Sequence, residues 1–409
     1  MSTGYKTFYG EFSLRQWIDM ILKKDIILPE YQRNFVWKVN DVKRLIDSLE
    51  NDYIVPPVII AQKGDKNYLL DGQQRLSSVL LSFFNIFPKN NNHIDVYNSD
   101  VHTEYEEENN EGIIKENEEI IYWKFSYIQD KFDEYKKDIN KLREKLCCDT
   151  TNYILENYNV NEDFFQKKFI GYAFSMHISN TNSNIHAHFS KTFHAINSTG
   201  KKLEYRESRR SYYWLIPQLS KLFEPEFTTR IFVVPSVGNK YLIDFVRPLA
   251  FAVDQFISSK GDISTSDIAR GYGKKIEEYF TGFVKHYSGL DEDNKFNFFG
   301  DRCSVIPDDA IDKRISHIEN ICKIDNFLPQ FTATYEYDYY FFGLVFWIVV
   351  QGKRIEIDDV QNLNTIFKRA IDNYKKEENN ITKYDTLNKI RSRMRESIKI
   401  YERHIKGDI

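Results

Sequence analysis

The stretch YLLDGQQRLSSVLLSFF, Tyr68–Phe84, changes its hydrophobic period from that of a strand to that of a helix within a few residues. YLL is typical of a strand end, and the apolar residues from Leu76 onward recur every three or four positions. The five residues between the two patterns are Asp71, Gly72, Gln73, Gln74 and Arg75. Asp71 fits the N-cap of a helix, and Gly72 permits a positive φ. The stretch therefore predicts a strand, a tight turn and a helix.

The polar residues of this motif fall on the first turn of the predicted helix, where backbone N–H groups are unpaired and the helix dipole is positive. An arginine is slightly disfavoured there, unless an anion bridges Arg75 and the helix terminus. Asp71 could instead hold a metal ion that bridges phosphates. On residue chemistry alone, an ordinary capped turn with an exposed Arg75 and an anion site both remain open.

A second Gln-Arg pair, Gln32 and Arg33, stands in the segment PEYQRNFVW, which Pro29 keeps out of a helix interior. Two such pairs that converge on one helix N-terminus would suit a triphosphate. Glutamine side chains can also orient an attacking water. The second pair therefore favours the anion site.

The first 88 residues predict a compact α+β unit. Helices are expected over 13–24, with Ser13 and Gln16 as a capping box, and over about 41–50. PPVIIAQ and NYLL predict strands joined by a Gly64-Asp65 turn. Two later segments, IIYWKFSYI and FIGYAFSMHIS, are interpreted as strands that return to this unit.

Beyond residue 88 the chain becomes acidic and then mainly helical. Residues 101–120 hold eight Glu against one Lys, which is typical of a solvated, mobile insertion. The apolar run Tyr339–Val350 falls short of the ~20 residues that span a bilayer, so it predicts a buried helix. The last helix, 386–405, carries an apolar stripe and a basic polar surface.

Composition limits the classes of protein. The chain of 409 residues has 56 Lys+Arg against 60 Asp+Glu and a net charge of −4, so a nucleic-acid surface must be local. Four cysteines without a CxxC pair argue against a zinc ribbon and for a reducing cytoplasm. The first residues show no basic region followed by an apolar run. We expect a cytoplasmic protein with no membrane partner.

Three segments, LPEYQRNFVW, LIDSLENDYIVPPVII and YLLDGQQRLSSVL, resemble the N-terminal domain of GmrSD-type restriction proteins. FHAINSTGKKLEYRESRR resembles the family's downstream Asn-x-x-Gly-x-x-Leu segment, here Asn197, Gly200 and Leu203. The resemblance implies an α+β fold, with a ParB/sulfiredoxin-like N-terminal domain followed by a mainly α-helical C-terminal domain. The first domain would hold residues 1–88 and about 119–200, with an acidic insertion at 89–118, and the second would hold 201–409.

The same resemblance implies nucleotide binding or hydrolysis in proteins that defend prokaryotes against modified phage DNA. The implied ligand is a nucleoside triphosphate accompanied by Mg²⁺, with Asp71 as a metal ligand. The implied catalytic residues are Asp71, Gln74 and Arg75. The implied nucleotide-binding residues are Gln32, Arg33, Gly72, Gln73 and Arg75.

One departure from the family concerns the nuclease. Full restriction proteins of this kind usually add a His-Asn-His nuclease domain, but His286, His317 and His404 lack the expected paired His and Asn. We therefore expect a partner nuclease or self-association.

Two alternatives remain open. The protein could be a non-catalytic ParB-like DNA-binding or adaptor module, or its first domain could itself cleave DNA. The nucleic-acid candidates are Arg391, Arg393 and Arg395 on the last helix, which could equally pack on the body or dimerise.

Overall fold

A computed structural model gives the fold for residues 5–29, 32, 34–89, 123–177, 185–197, 205–235, 240–259, 268–273, 275–376 and 386–409. Contacts divide these residues into two compact units, one that ends with residue 197 and one that starts at residue 205. The insertion predicted at 89–118 lies outside the described residues, apart from Lys89.

The first unit alternates strands and helices along the chain. Its elements are β1 Tyr5–Ser13, α1 Leu14–Leu22, β2 Ile26–Ile27, α2 Val39–Glu50, β3 Val58–Lys63, β4 Lys66–Asp71, α3 Gln73–Phe84, β5 Ile86–Pro88, α4 Ser126–Glu134, α5 Ile139–Cys148, β6 Tyr153–Leu155, α6 Glu162–Lys167, β7 Phe169–His177 and α7 Ile185–Asn197.

Five strands form a mixed sheet in the order β1-β7-β3-β4-β2. β1 runs antiparallel to β7 and β3 antiparallel to β4, whereas the pairs β3–β7 and β2–β4 are parallel. The predicted hairpin of β3 and β4 and the return of β7 to the sheet are confirmed. The mixed sheet confirms the α+β class predicted for the N-terminal part.

Amphipathic helices supply the apolar side chains that cover this sheet. The capping box of Ser13 and Gln16 starts α1 as predicted, and the indole N–H of Trp17 donates to the Ile170 carbonyl at 3.1 Å. The predicted apolar stripes of α1 and α2 are buried in one core with α3 and the strands. Burial of these stripes is the main source of the unit's stability.

One predicted strand is wrong in the part that the structure describes. Residues 123–128 of the segment IIYWKFSYI lead into helix α4, which starts at Ser126. The aromatic and β-branched composition favours a strand, but Phe125, Ile128 and Phe132 are spaced for one helix face and all three are buried. The edge strand β1 was not predicted, because most of its side chains are exposed and show no clean alternation.

The second unit is mainly helical. Its elements are α8 Tyr205–Arg210, α9 Pro217–Phe223, a 3₁₀ turn Glu226–Arg230, β8 Phe232–Val233, β9 Tyr241–Leu242, α10 Val246–Ser259, α11 Ile276–Tyr287, a 3₁₀ turn Asn297–Phe299, α12 Arg302–Val305, α13 Asp308–Cys322, α14 Thr334–Leu344, a π-helical turn Val345–Val350, β10 Lys353–Ile355, α15 Val360–Lys375, α16 Leu387–Glu402 and β11 Ile405–Asp408.

Helix α14 and the π-helical turn form the centre of this unit, which confirms the buried helix predicted for Tyr339–Val350. Gly343 lets α16 approach closely, because an added Cβ would lie 2.5 Å from the Ser397 carbonyl oxygen. The last helix ends at Glu402, shorter than predicted, and Ile405 belongs to β11. Among the described residues, no helix is long and apolar enough to cross a bilayer.

A buried charge cluster ties α10, α14 and α16 together. Asp338 is fully buried and accepts hydrogen bonds from Arg247 Nε at 2.7 Å and from Arg393 Nε at 2.9 Å. Burial alone would raise the pKa of Asp338, but the two guanidinium groups outweigh it and hold the pKa below its ordinary value. Arg393 is 0% exposed, which corrects the expectation that it lies on a nucleic-acid-binding surface.

The buried pair gives a stability prediction that uses two basic residues of the same helix. Arg393→Ala should lower the free energy of unfolding by about 3–5 kcal/mol, because it leaves part of the Asp338 charge uncompensated in the interior. Lys399→Ala, at an exposed position of α16, should change it by less than about 0.5 kcal/mol. Urea unfolding followed by tryptophan fluorescence measures both. Equal effects of the two substitutions would contradict the structural assignment of Arg393.

Candidate functional site

The turn between β4 and α3 depends on Gly72. Gly72 is the N-cap of α3 and has φ 98°, in the left-handed region, whereas Asp71 is the last residue of β4. An added Cβ at Gly72 would lie 2.9 Å from Val58 Cγ2. The predicted strand, turn and helix are confirmed, but the cap is Gly72 rather than Asp71. β3 also shifts register between Ile59 and Ile60, directly opposite Asp71.

The side chain of Arg75, in the first turn of α3, contacts the end of β4 and the residue that precedes β3. Its Nη2 donates to Asp71 Oδ2 at 2.7 Å and to the Pro57 carbonyl at 3.1 Å. The side chain of Arg75 is only 15% exposed, while that of Asp71 is 38% exposed. The Nε of Arg75 is buried and has no hydrogen-bond acceptor within the described residues. A buried donor without an acceptor is uncommon and calls for an explanation, of which a bound ligand is one.

The side-chain amides of Gln74 and Gln32 connect the loop before α2 to the start of α3 and the end of β4. Gln74 Oε1 accepts from the Val36 N–H at 2.9 Å, and its Nε2 donates to the Asn34 carbonyl at 3.1 Å. Gln32 Nε2 donates to the Leu70 carbonyl at 3.0 Å, at the end of β4. Both side chains are buried. They therefore hold the loop in place, a role that the motif pattern alone did not indicate.

The structure accordingly brings most of the predicted site residues together. Gln32 contacts the end of β4, and Asp71, Gly72, Gln73, Gln74 and Arg75 follow it without interruption into α3. Gln73 is buried. Arg33 lies outside the described residues, as do Gly200, Leu203 and the side chain of Asn197. Pro57, whose carbonyl contacts Arg75, was missed because a backbone acceptor leaves no signal in the sequence.

The start of α3 has the electrostatics of an anion site. Its N-cap residue is Gly72, which has no side chain to accept from the first-turn N–H groups. First-turn N–H groups point out of a helix without intrahelical partners, and the positive dipole end lies there. Arg75 adds a full positive charge, partly balanced by Asp71. Two or more donors that converge on one point can bind a phosphate or carboxylate.

Arg391 and two of the histidines considered for a nuclease site contact backbone carbonyls of the second unit. Arg391 Nε donates to the Ile268 carbonyl at 3.0 Å, so Arg395 is the only exposed member of the predicted nucleic-acid trio. His286 and His317 each place Nε2 within 3.0 Å of a backbone carbonyl, and burial lowers the pKa of His317. Within the described ranges, no group of three His, Cys, Asp or Glu side chains could hold a metal ion.

The anchoring role of Gln74 leads to a prediction. Gln74→Ala removes an acceptor and a donor from the segment 34–36, so amide hydrogen exchange of residues 32–36 should accelerate, with a loss of about 1–3 kcal/mol in stability. Hydrogen exchange followed by mass spectrometry measures the change. Gln361→Ala, at an exposed position of α15, is the control and should leave this exchange unchanged. Unchanged exchange of 32–36 in Gln74→Ala would show that the amide does not hold the loop.

Comparison with known proteins gives one family match. Residues 14–214 match the family described as GmrSD restriction endonuclease, N-terminal domain. No curated protein and no solved structure matches the chain, so the ParB/sulfiredoxin-like assignment stays a prediction. The match covers four of the five strands of the sheet, the motif and α7, begins directly after β1, and ends inside the second unit. Residues 14–214 of this protein are thus similar to the N-terminal domain of GmrSD restriction endonucleases.

Proposed function

We propose that the N-terminal unit binds a nucleoside triphosphate at the start of α3, as part of a prokaryotic restriction system that acts against phage. The observation that carries the proposal is the buried Nε donor of Arg75, which has no acceptor within the described residues, next to a helix N-terminus that begins at a glycine. The positive end of the helix dipole lies at the same point. A phosphate group would satisfy both at once.

The proposed phosphate contacts come from the backbone and from arginine. The N–H groups of Gln73, Gln74 and Arg75 belong to the first turn of α3, and the dipole adds to their attraction for an anion. Arg75 would turn its guanidinium from Asp71 toward the phosphate. Arg33 is included because both neighbours in the chain, Gln32 and Asn34, contact residues at the ends of β4 and α3.

Magnesium fits this site only as a companion of the nucleotide. Asp71 is the one carboxylate of the motif, and Mg²⁺ typically binds one or two carboxylates together with phosphate oxygens and waters. The ion would neutralise charge on the phosphates. In the structure Asp71 pairs with Arg75, so the movement of Arg75 onto a phosphate would leave the Asp71 carboxylate available.

The glutamines receive a different role from the one their chemistry first suggests. Gln74 uses both ends of its amide on the loop, and Gln32 donates to β4. Neither is therefore proposed to orient the attacking water. They act as positioning residues that keep the loop beside the phosphate site. We place nucleotide hydrolysis at the same site and expect it to require the negative charge of Asp71.

The family supplies the biological setting of the proposal. A GmrSD N-terminal domain relates the protein to restriction systems. In such a system, nucleotide binding would regulate a nuclease, which a partner protein or a second copy of the chain would provide. The DNA that is bound or cut stays a prediction, because α16 offers only Arg395 as an exposed member of its predicted trio.

The proposal predicts that Arg75→Ala weakens nucleotide binding about 10- to 100-fold, because a charge-assisted contact contributes about 1.5–3 kcal/mol. Isothermal titration calorimetry of the full chain with ATP, GTP, CTP and deoxynucleotides in Mg²⁺ measures this. Arg44→Ala is the matched control, since Arg44 is a largely exposed arginine of the same unit. The nucleotide affinity of Arg44→Ala should equal that of the unaltered protein.

Asp71→Asn separates binding from hydrolysis. It removes the charge that pairs with Arg75, so binding should persist while phosphate release is lost. Thermal unfolding of each variant checks that the first unit is folded. The proposal is overturned if the unaltered protein binds none of these nucleotides, or if Arg44→Ala and Arg75→Ala lower the affinity equally.

A further inference from the structure

The loop that joins α2 to β3 exposes a run of apolar residues beside the candidate site. Tyr53 is 68% exposed and Ile54 is fully exposed at 100%. Val55 is partly buried, and Pro56 and Pro57 are exposed. Single exposed apolar residues are ordinary, but consecutive ones on one loop indicate a contact surface.

The end of α2 orients this loop. Asp52 adopts the left-handed conformation with φ 56°, and the Tyr53 N–H donates to the Ser48 carbonyl at 2.8 Å, as in a Schellman helix end. In that motif the residue at position 53 normally packs on an apolar residue at position 48. Here position 48 is a serine, so the Tyr53 ring has no apolar partner at that point and projects outward.

Both ends of the loop are held in place. Lys168 Nζ donates to the Glu50 carbonyl at 2.8 Å and to Asp52 Oδ1 at 2.7 Å. At the other end, the Pro57 carbonyl accepts from Arg75. The Cα atoms of Tyr53 and Pro57 lie within about 14 Å, because four residues of extended chain span no more. The exposed ring therefore lies on the same anchored loop as the carbonyl that the Arg75 guanidinium contacts.

We propose that this loop, Asp52–Pro57, supplies the nucleobase contact of the nucleotide site, with the Tyr53 ring stacked on the base and Ile54 against its edge. This inference rests on the proposed function. Phosphates at the start of α3 and a base at Tyr53 would belong to one nucleotide and be joined by its sugar. Stacking on one ring is tolerant of base identity, because every base presents a π-face.

The size of the surface favours a small planar ligand over a protein. A stable protein interface takes about 800 Å² from each partner, far more than two exposed side chains and two prolines offer. The loop is also continuous with the candidate phosphate site through Pro57 and Val58, which contact Arg75 and approach Gly72. A nucleotide is the ligand that uses both surfaces together.

The test compares a nucleoside triphosphate with inorganic tripolyphosphate, which has the phosphates but no base. Tyr53→Ala should weaken nucleoside triphosphate binding roughly 5- to 100-fold, the range measured for loss of one base-stacking ring. Tripolyphosphate affinity should be unchanged, and Tyr53→Phe should behave as the unaltered protein. Tyr9→Ala is the matched control, since Tyr9 is 78% exposed on β1 of the same unit. Calorimetry on the full chain with Mg²⁺ measures each affinity.

The outcomes distinguish this inference from the proposed function. If neither nucleotide nor tripolyphosphate binds the unaltered protein, the proposed function fails and the inference fails with it. If both bind and Tyr53→Ala leaves the nucleotide affinity unchanged, only the inference is overturned. Equal weakening of both ligands also overturns it, because a stacking residue cannot affect a ligand without a base. A change in oligomeric state without a change in nucleotide affinity would assign the loop to a protein partner instead.

Discussion

The left-handed turn at Gly72 is the constraint on which the candidate site depends. With φ 98° and Val58 packed where a Cβ would stand, this position accepts only glycine without a shift of β4 or α3. The turn sets where α3 begins, and so it brings Gln74 to the loop at 34–36 and Arg75 to Asp71 and the Pro57 carbonyl. A residue with a side chain at 72 would move all of these contacts together. The motif therefore has a structural role. The positions of the groups that could donate hydrogen bonds to a ligand depend on it.

Local patterns were sufficient to predict α1, α2, α3 and the β3–β4 hairpin, because each element buries a periodic stripe that can be seen in a few consecutive residues. The role of Gln74 could not be predicted in this way, since its partners lie 38 and 40 residues earlier in the chain. The same limit explains Arg393. An arginine without a visible partner is expected on the surface, but Asp338, which lies 55 residues upstream, compensates the charge of Arg393 in the interior. The strand predicted at IIYWKFSYI failed because residue composition was weighed above helical spacing.

Three arginines of the second unit are buried in ion pairs: Arg209, Arg247 and Arg393. Arg209 is buried between Asp244 and Glu277, and burial raises the pKa of Glu277 despite the arginine beside it. Arg247 and Arg393 share Asp338 in the same way. Arg209 belongs to the segment matched by the family, while both of its partners lie beyond residue 214. Truncation after residue 214 would therefore leave Arg209 without the carboxylates of Asp244 and Glu277. A truncation that ends before residue 205 would remove Arg209 as well and would leave no part of this ion pair behind.

The central claim is that a phosphate group binds at the start of α3 and replaces Asp71 as the ion-pair partner of Arg75. A crystal structure of the full chain with Mg²⁺ and a non-hydrolysable nucleoside triphosphate tests it most directly. The account predicts phosphate oxygens about 2.7–3.2 Å from the first-turn N–H groups of α3 and from the Arg75 guanidinium. It also predicts that the 2.7 Å contact between Arg75 and Asp71 opens. A nucleotide bound elsewhere, with that ion pair unchanged, would contradict the account.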